Sequence, residues 1–270
     1  MAGIVIGRLR EGKRVIEVLN DVELDRASRS GELVASILRA ARERTTVGTN
    51  LLDIDRWTRT MITEAGAQSC YVDYEPSFGR GPFGHYICTS VNDAVLHGKP
   101  FDYALRDGDL LTLDLAVSLD GIVADSAISF VVGSSARSED LAMIAATQRA
   151  LAAGIAAAVP GARVGDISHA IGTVLTDAGY PINTQFGGHG VGSTMHQDPH
   201  IANAGRPGRG YQLRPGLLLA IEPWVMADTD ELVTDGDGWT LRSATGCRTA
   251  HSEHTIAITE EGPRVLTLPR

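Results

Sequence analysis

The stretch LRDGDLLTLD at 105–114 lines up with LRPGLLLAIE at 213–222. Each runs Leu-Arg-x-Gly, then an apolar segment of strand character, then a carboxylate in the tenth position. Upstream, Asp53-Ile54 with Ala65-Gly66 matches Asp166-Ile167 with Ala178-Gly179 at equal internal spacing. Helix, loop and acid-ended strand thus occur twice. That predicts a duplicated αβ chain whose acids meet near a pseudo-two-fold axis, with the site between the halves. The bland alternative is chance similarity of two turn-strand segments.

Working outward, apolar periodicity predicts helices over 31–43, 53–65, 139–158 and 166–178. Asp166 and Gly179 are sensible caps for the last. Strands are expected at 110–118, 122–132, 217–226, 239–242 and 253–259, the first two joined by the turn Leu119-Asp120-Gly121. No linker rich in Pro, Gly or Ser divides the 270 residues. The chain reads as one domain, 1–270, with a helical lead-in over about 1–40 and half-repeats at about 45–135 and 160–260.

Composition narrows the function classes. Hydrophobic residues at 43% and charged residues at 21% suit an ordinary globular protein. A formal net charge of −9 argues against nucleic acid, which needs a basic face. The three cysteines, Cys70, Cys88 and Cys247, are odd in number and lack zinc-finger spacing, so a reducing compartment fits. The first residues, MAGIVIGRLREGKRVIEVL, lack a long apolar run followed by a cleavage site. No stretch approaches the roughly 20 apolar residues of a membrane span. The expectation is a cytoplasmic protein without a membrane partner.

The chemistry is carried by acids in apolar surroundings. Asp114 lies in LLTLDLAV and Asp125 in IVADSAISFVV. An unpaired carboxylate there costs several kcal/mol unless it protonates or finds a cation. Folding about Asp120-Gly121 brings the two acids nearly opposite each other. Arginine bridges are the alternative, but no basic residue occurs between 107 and 136. Glu222 ends the apolar run LLLAI ahead of Pro223, and Glu253 opens another in HSEHTIAIT. Each of these four acids needs its own compensation.

His189, in FGGHGVGSTMH, adds a nitrogen among glycines that permit close backbone approach. Alone it reads as a loop residue; beside four acids it reads as a ligand. Four carboxylates and one imidazole suit two divalent cations, whether manganese, iron(II), cobalt or zinc, with two carboxylates bridging. His97, at an expected strand-to-loop junction, and His196 are candidates to hold a peptide carbonyl or pass a proton. The alternative for either is a solvated surface histidine. His85, His169, His200, His251 and His254 read as ordinary by default, although His251 and His254 flank Glu253 and either could support it.

Five segments, SVNDAVLHGKP, GDLLTLDLAVSLDGIVADSAISF, GGHGVGSTMHQDP, LLLAIEPWV and HSEHTIAIT, occur in this order. Together they are similar to the signature segments of type I methionine aminopeptidases, from about residue 40 to the carboxyl terminus. The resemblance implies an α/β fold of the α+β kind, the pita-bread fold, with duplicated halves around a central antiparallel sheet. It implies removal of initiator methionine from nascent peptides when the second residue is small, with the ribosome as a transient partner and the chain a monomer. By resemblance, Asp125 and Glu253 bridge two metal ions, Asp114 completes one shell, and His189 with Glu222 complete the other. His97 and His196 contact the scissile amide and the following residue, and Glu222 doubles as a proton shuttle. Phe83, Cys88, Met195 and Trp239 line the methionine pocket, although Trp239 alone would read as core.

Some positions depart from the family pattern. Met195 stands where phenylalanine is common, Gln197 where glutamate is, and His251 where glutamine is. The segment 75–83 lacks the tyrosines often found there. These changes bear on substrate preference more than on chemistry. Rivals are an X-Pro aminopeptidase or dipeptidase of the same fold, which usually carries an extra amino-terminal domain, and a peptide-binding relative without activity, which should have lost ligands.

Overall fold

The computed structural model describes residues 7–11, 14–76 and 79–268. The described chain opens with an antiparallel hairpin, β1 (Gly7–Glu11) and β2 (Arg14–Val18). Strand thus stands in the first part of the helical lead-in expected over 1–40, of which residues 1–6 and 12–13 lie outside the described residues, and helix occupies the remainder from Asp21. The helix begins only at α1 (Asp21–Arg44), ten residues ahead of the expected 31–43 stretch. A reciprocal cap sets that start: Asn20 Oδ1 accepts from Glu23 N at 3.1 Å, and Glu23 Oε2 accepts from Asn20 N at 2.9 Å.

Next come α2 (Leu51–Glu64), β3 (Gln68–Ser69), β4 (Cys88–Val91) and β5 (Ala94–Leu96). The long hairpin β6 (Leu110–Leu119) and β7 (Ile122–Val131) leads to the helix pair α3 (Ser138–Ala157) and α4 (Val164–Asp177). Then follow β8 (Gly187–Val191), β9 (Gln197–Ala202), β10 (Leu218–Ile221), β11 (Trp224–Met226) and β12 (Leu232–Thr234). The last strands are β13 (Leu241–Ser243), β14 (Thr249–His251), β15 (Glu253–Thr259) and β16 (Gly262–Val265). The strand expected over 217–226 is therefore two, broken at Glu222-Pro223, where proline offers no N–H to a ladder. Asp166 is not the cap residue of α4. It sits in the first turn, where its carboxylate accepts from Arg163 N at 2.7 Å.

Among the described residues, nine strands form one antiparallel sheet in the order β3–β6–β7–β15–β10–β8–β9, with β4 on β6 and β16 on β15. In the β6–β7 hairpin Leu119 faces Ile122. The turn is thus two residues, Asp120 (φ 53°) and Gly121 (φ 80°), and it matches strand twist. Asp114 faces Ala127 and Ala116 faces Asp125, so the two acids are diagonal neighbours on one face, nearly opposite each other as expected.

The internal repeat is present in three dimensions. Helices α2 and α4 are each 14 residues long, and each ends in an αR alanine, Ala65 or Ala178. Gly66 (φ 66°) and Gly179 (φ 83°) follow. The Leu-Arg-x-Gly turns place Gly108 at φ 85° and Gly216 at φ 91°, left-handed values that only glycine adopts cheaply. The halves meet where β7 pairs with β15.

Strand alternation sorts side chains between two faces. Leu111, Leu113, Leu115 and Val117 of β6 pack under α1 and α2 with Val34, Ile37, Leu51 and Ile54. Leu219, Ile221, Ile256 and Ile258 pack under α3 and α4 with Leu151, Ile167 and Ile171. Ala116, Ala220 and Ala257 point the other way, into a third cluster with Phe83, Met195 and Trp239. By the same period-two rule Asp114, Asp125, Glu222 and Glu253 share that second face.

Candidate metal centre

The five expected ligands lie on five successive strands of the sheet. Asp114 is on β6, Asp125 on β7, Glu253 at the start of β15, Glu222 just past β10, and His189 on β8. All five line one cavity. Donor atoms of Asp125, His189 and Glu253 lie within 4.8 Å of one another. His189 Nε2 is 4.0 Å from Asp125 Oδ2 and 3.7 Å from Glu222 Oε1. Its Nδ1 is 3.0 Å from the Gly190 carbonyl and donates to it, which leaves the Nε2 lone pair facing the acids. The flanking glycines are required by close strand packing: a Cβ on Gly188 would lie 2.3 Å from Ala220 O, and one on Gly190 2.1 Å from Asp198 O.

These acids are electrostatically incomplete. Burial raises the Asp114 carboxyl to about 6, and the Tyr71 hydroxyl, 2.6 Å from its Oδ1, opposes that rise. Asp125, Glu222 and Glu253 are held well above the usual carboxylate range, first by burial and then by neighbouring carboxylates, Asp114 among them in each case. Among the described residues lining the cavity there is no lysine or arginine, which counts against the arginine-bridged alternative. The nearby nitrogens are imidazoles, and burial lowers both His189 and His251 to about 3, so neither is a counter-charge at neutral pH. His251 Nε2 lies 3.8 Å from Glu222 Oε2 and 3.9 Å from Glu253 Oε2. Neither of its buried ring nitrogens has a protein hydrogen-bond partner among the described residues. A cluster of oxygen donors, one oriented imidazole and a second imidazole without a partner fits divalent cations.

An apolar end adjoins the acids. Phe83, Cys88, Met195 and Trp239 are all buried and all line the same cavity. Phe83 meets Trp239 edge-on with ring centroids 5.2 Å apart, and Tyr71 with centroids 5.6 Å apart. Trp239 Nε1 donates to Gly81 O at 3.2 Å. His97 follows β5 at φ 56°, a left-handed value that marks a constrained position, and it too lines the cavity. His196 stacks edge-on with His189, centroids 4.4 Å apart, and its Nδ1 is 2.8 Å from Tyr74 Oη. Burial lowers both His97 and His196 to about 4, so each is neutral near pH 7.

Residues 25–260 match metallopeptidase family M24. The chain belongs to that family. A methionine aminopeptidase 1 from Mycobacterium tuberculosis is 41% identical over 270 residues, spanning 97% of this chain and 98% of that protein. The crystal structure of a methionine aminopeptidase from Thermotoga maritima matches with a TM-score of 0.88 at 32% identity, over 94% of this chain and 99% of that one. A prolidase from Pyrococcus furiosus shares the fold, with a TM-score of 0.73 at 20% identity, but the match spans only 66% of that chain.

Sequence reasoning missed two residues of this M24 site. Tyr71 and Tyr74 line the cavity from just upstream of the 75–83 segment, where tyrosines were sought. The signal was present in YVDYEP, two tyrosines three apart, but a loop hides its side-chain directions from any period. His254 points away from the site, with Nδ1 2.9 Å from Thr267 Oγ1, so of the two histidines flanking Glu253 only His251 faces the acids.

Proposed function

We propose that this M24 chain is a methionine aminopeptidase, a single catalytic domain over 1–270 that removes the initiator methionine when the second residue is small. One observation carries the reading: five ligand-type side chains from five adjacent strands surround a cavity that, among the described residues, has no lysine or arginine and ends in an apolar pocket. The close relatives with full-length coverage bear that name.

Asp125 and Glu253, on the strands where the halves meet, would hold two divalent cations in common, with Asp114 serving one and His189 and Glu222 the other. Such a pair, when bound, activates a water as nucleophile and polarises the scissile carbonyl.

The chain's own residues do the rest. Phe83, Cys88, Met195 and Trp239 hold the methionine side chain, and burying it contributes about 1.5–3 kcal/mol. A flexible, polarisable thioether suits these aromatic walls. Tyr74 donates its hydroxyl proton to His196 Nδ1, so Nε2 carries the ring proton and donates to a peptide carbonyl. His97, neutral and held by its backbone, contacts the scissile amide. Glu222, beside the activated water, takes a proton from it and returns it to the leaving amine. The substrates are nascent peptide amino termini, met in the cytoplasm by a monomer that touches the ribosome transiently. Among the described residues no helix is long and apolar enough to cross a membrane.

Protein reconstituted in turn with manganese, iron(II), cobalt and zinc should release methionine from Met-Ala-Ser and not from Met-Lys-Ser. It should leave Ala-Pro-Ala intact. Cleavage of Ala-Pro-Ala without release of methionine would assign the chain to the X-Pro enzymes instead.

A further inference from the structure

The loop Gly192–His196 carries two residues of the site, Met195 in the pocket wall and His196 beside His189. On one side it is tied to β7, where Val123 N donates to Gly192 O at 2.8 Å. On the other side stands a residue absent from the site described so far. Glu17, buried at 4% exposure on β2, takes hydrogen bonds from Ser193 N at 2.7 Å, Ser193 Oγ at 2.6 Å and Gln197 Nε2 at 2.9 Å. Gln197 also reaches Thr194 Oγ1 at 3.2 Å. The approach is close enough that a Cβ on Gly192 would lie 2.4 Å from Glu17 Oε2 and 2.8 Å from Gln197 Nε2. The strand bearing Glu17 is anchored in turn: Leu19 N donates to Gly216 O at 2.8 Å, and Leu19 packs in the same cluster as Val191 and Met195.

We infer that Glu17 is a positioning residue for the reaction, clamping the loop that presents Met195 and His196 to the substrate. Charge-assisted hydrogen bonds to a buried carboxylate are the stronger kind, and three converge here on one side chain. The clamp also accounts for the amide at Gln197, whose Nε2 donates to Glu17 Oε2. A second carboxylate at 197 would face Glu17 within about 3 Å and repel it, whereas an amide donates to it. The amino-terminal hairpin is therefore part of the active-site frame, acting through the loop and not touching substrate.

The inference rests on the aminopeptidase reading for its kinetic test but not for its second readout. Glu17→Ala, Gln197→Glu and the double variant form a cycle. Glu17→Ala should lower kcat/KM on Met-Ala-Ser about tenfold and Gln197→Glu about thirtyfold. The double variant should be no worse than Glu17→Ala, because the added carboxylate then meets no partner charge. Manganese affinity by titration calorimetry should stay within twofold throughout. Hydrogen exchange of the 191–198 segment, followed by mass spectrometry, should speed up at least tenfold in both single variants whatever the substrate proves to be. Multiplying, independent losses in the double variant would overturn the inference. So would parental exchange in Glu17→Ala, or a loss of manganese binding that matches the loss of activity.

Discussion

Replacing Asp114 by asparagine should stabilise the metal-free protein while abolishing its turnover. Burial lifts the Asp114 carboxyl from an ordinary 3.8 to about 6 in the folded state. At about 1.36 kcal/mol per unit, holding that group ionised at pH 7.5 costs the folded state up to about 3 kcal/mol. Asp114 is half-buried, and solvent screening brings the figure to about 1–3 kcal/mol. Asparagine removes the charge but keeps an oxygen for Tyr71, and it also relieves Asp125, whose own rise Asp114 reinforces.

The sign follows from proton linkage. A carboxyl whose folded pKa is raised penalises the fold above that pKa, and the penalty fades as pH falls from about 6 towards 3.8. In calorimetry of chelator-treated protein at pH 7.5, the variant should melt about 2–8 °C above the parent. The gap should shrink at pH 4.5. Saturating manganese should reverse the order, since ligand binding stabilises only the chain that holds it. A metal-free variant less stable than the parent, or a gap independent of pH, would refute the reasoning.

Trp239→Ala should raise KM for Met-Ala-Ser about 10–100-fold by removing the largest wall of the pocket, with manganese stoichiometry by titration calorimetry unchanged. Tyr74→Phe removes the hydrogen bond to His196 Nδ1 and should lower kcat/KM about three- to tenfold, read from initial rates of methionine release. Gly216→Ala should cost about 1–3 kcal/mol in urea unfolding. Its φ of 91° disfavours a side chain, and a Cβ there would lie 2.5 Å from Leu19 O.

The features visible in the sequence are those with a period. The stripe of α4, the alternation of β6 and the two Leu-Arg-x-Gly turns each repeat apolar positions or punctuate them with glycine, and these located the halves and the acids. What stayed hidden lacked such a signal. GGHGV reads as loop because glycine has little strand preference, yet it is β8, placed by the close approach of Ala220 and Asp198 backbone. The early turns of α1 are polar and start from the Asn20–Glu23 cap rather than from a hydrophobic stripe. Tyr71 and Tyr74 reach the site from a loop, and Glu17 reaches the neighbouring 193–197 segment from a hairpin, in directions only the tertiary structure supplies. Asp114 and Asp125 were foreseen as nearly opposite from the Asp120-Gly121 turn, and the two-residue turn sets them as diagonal neighbours on one face.

The most direct test is titration of manganese into metal-free protein by calorimetry, for the parent and for Glu253→Gln. The parent should take up two ions per chain, and the variant, having lost a bridging carboxylate, should bind both more weakly. Two ions bound by Glu253→Gln with parental affinity, or no manganese bound by the parent, would contradict a paired-cation centre built on these five side chains.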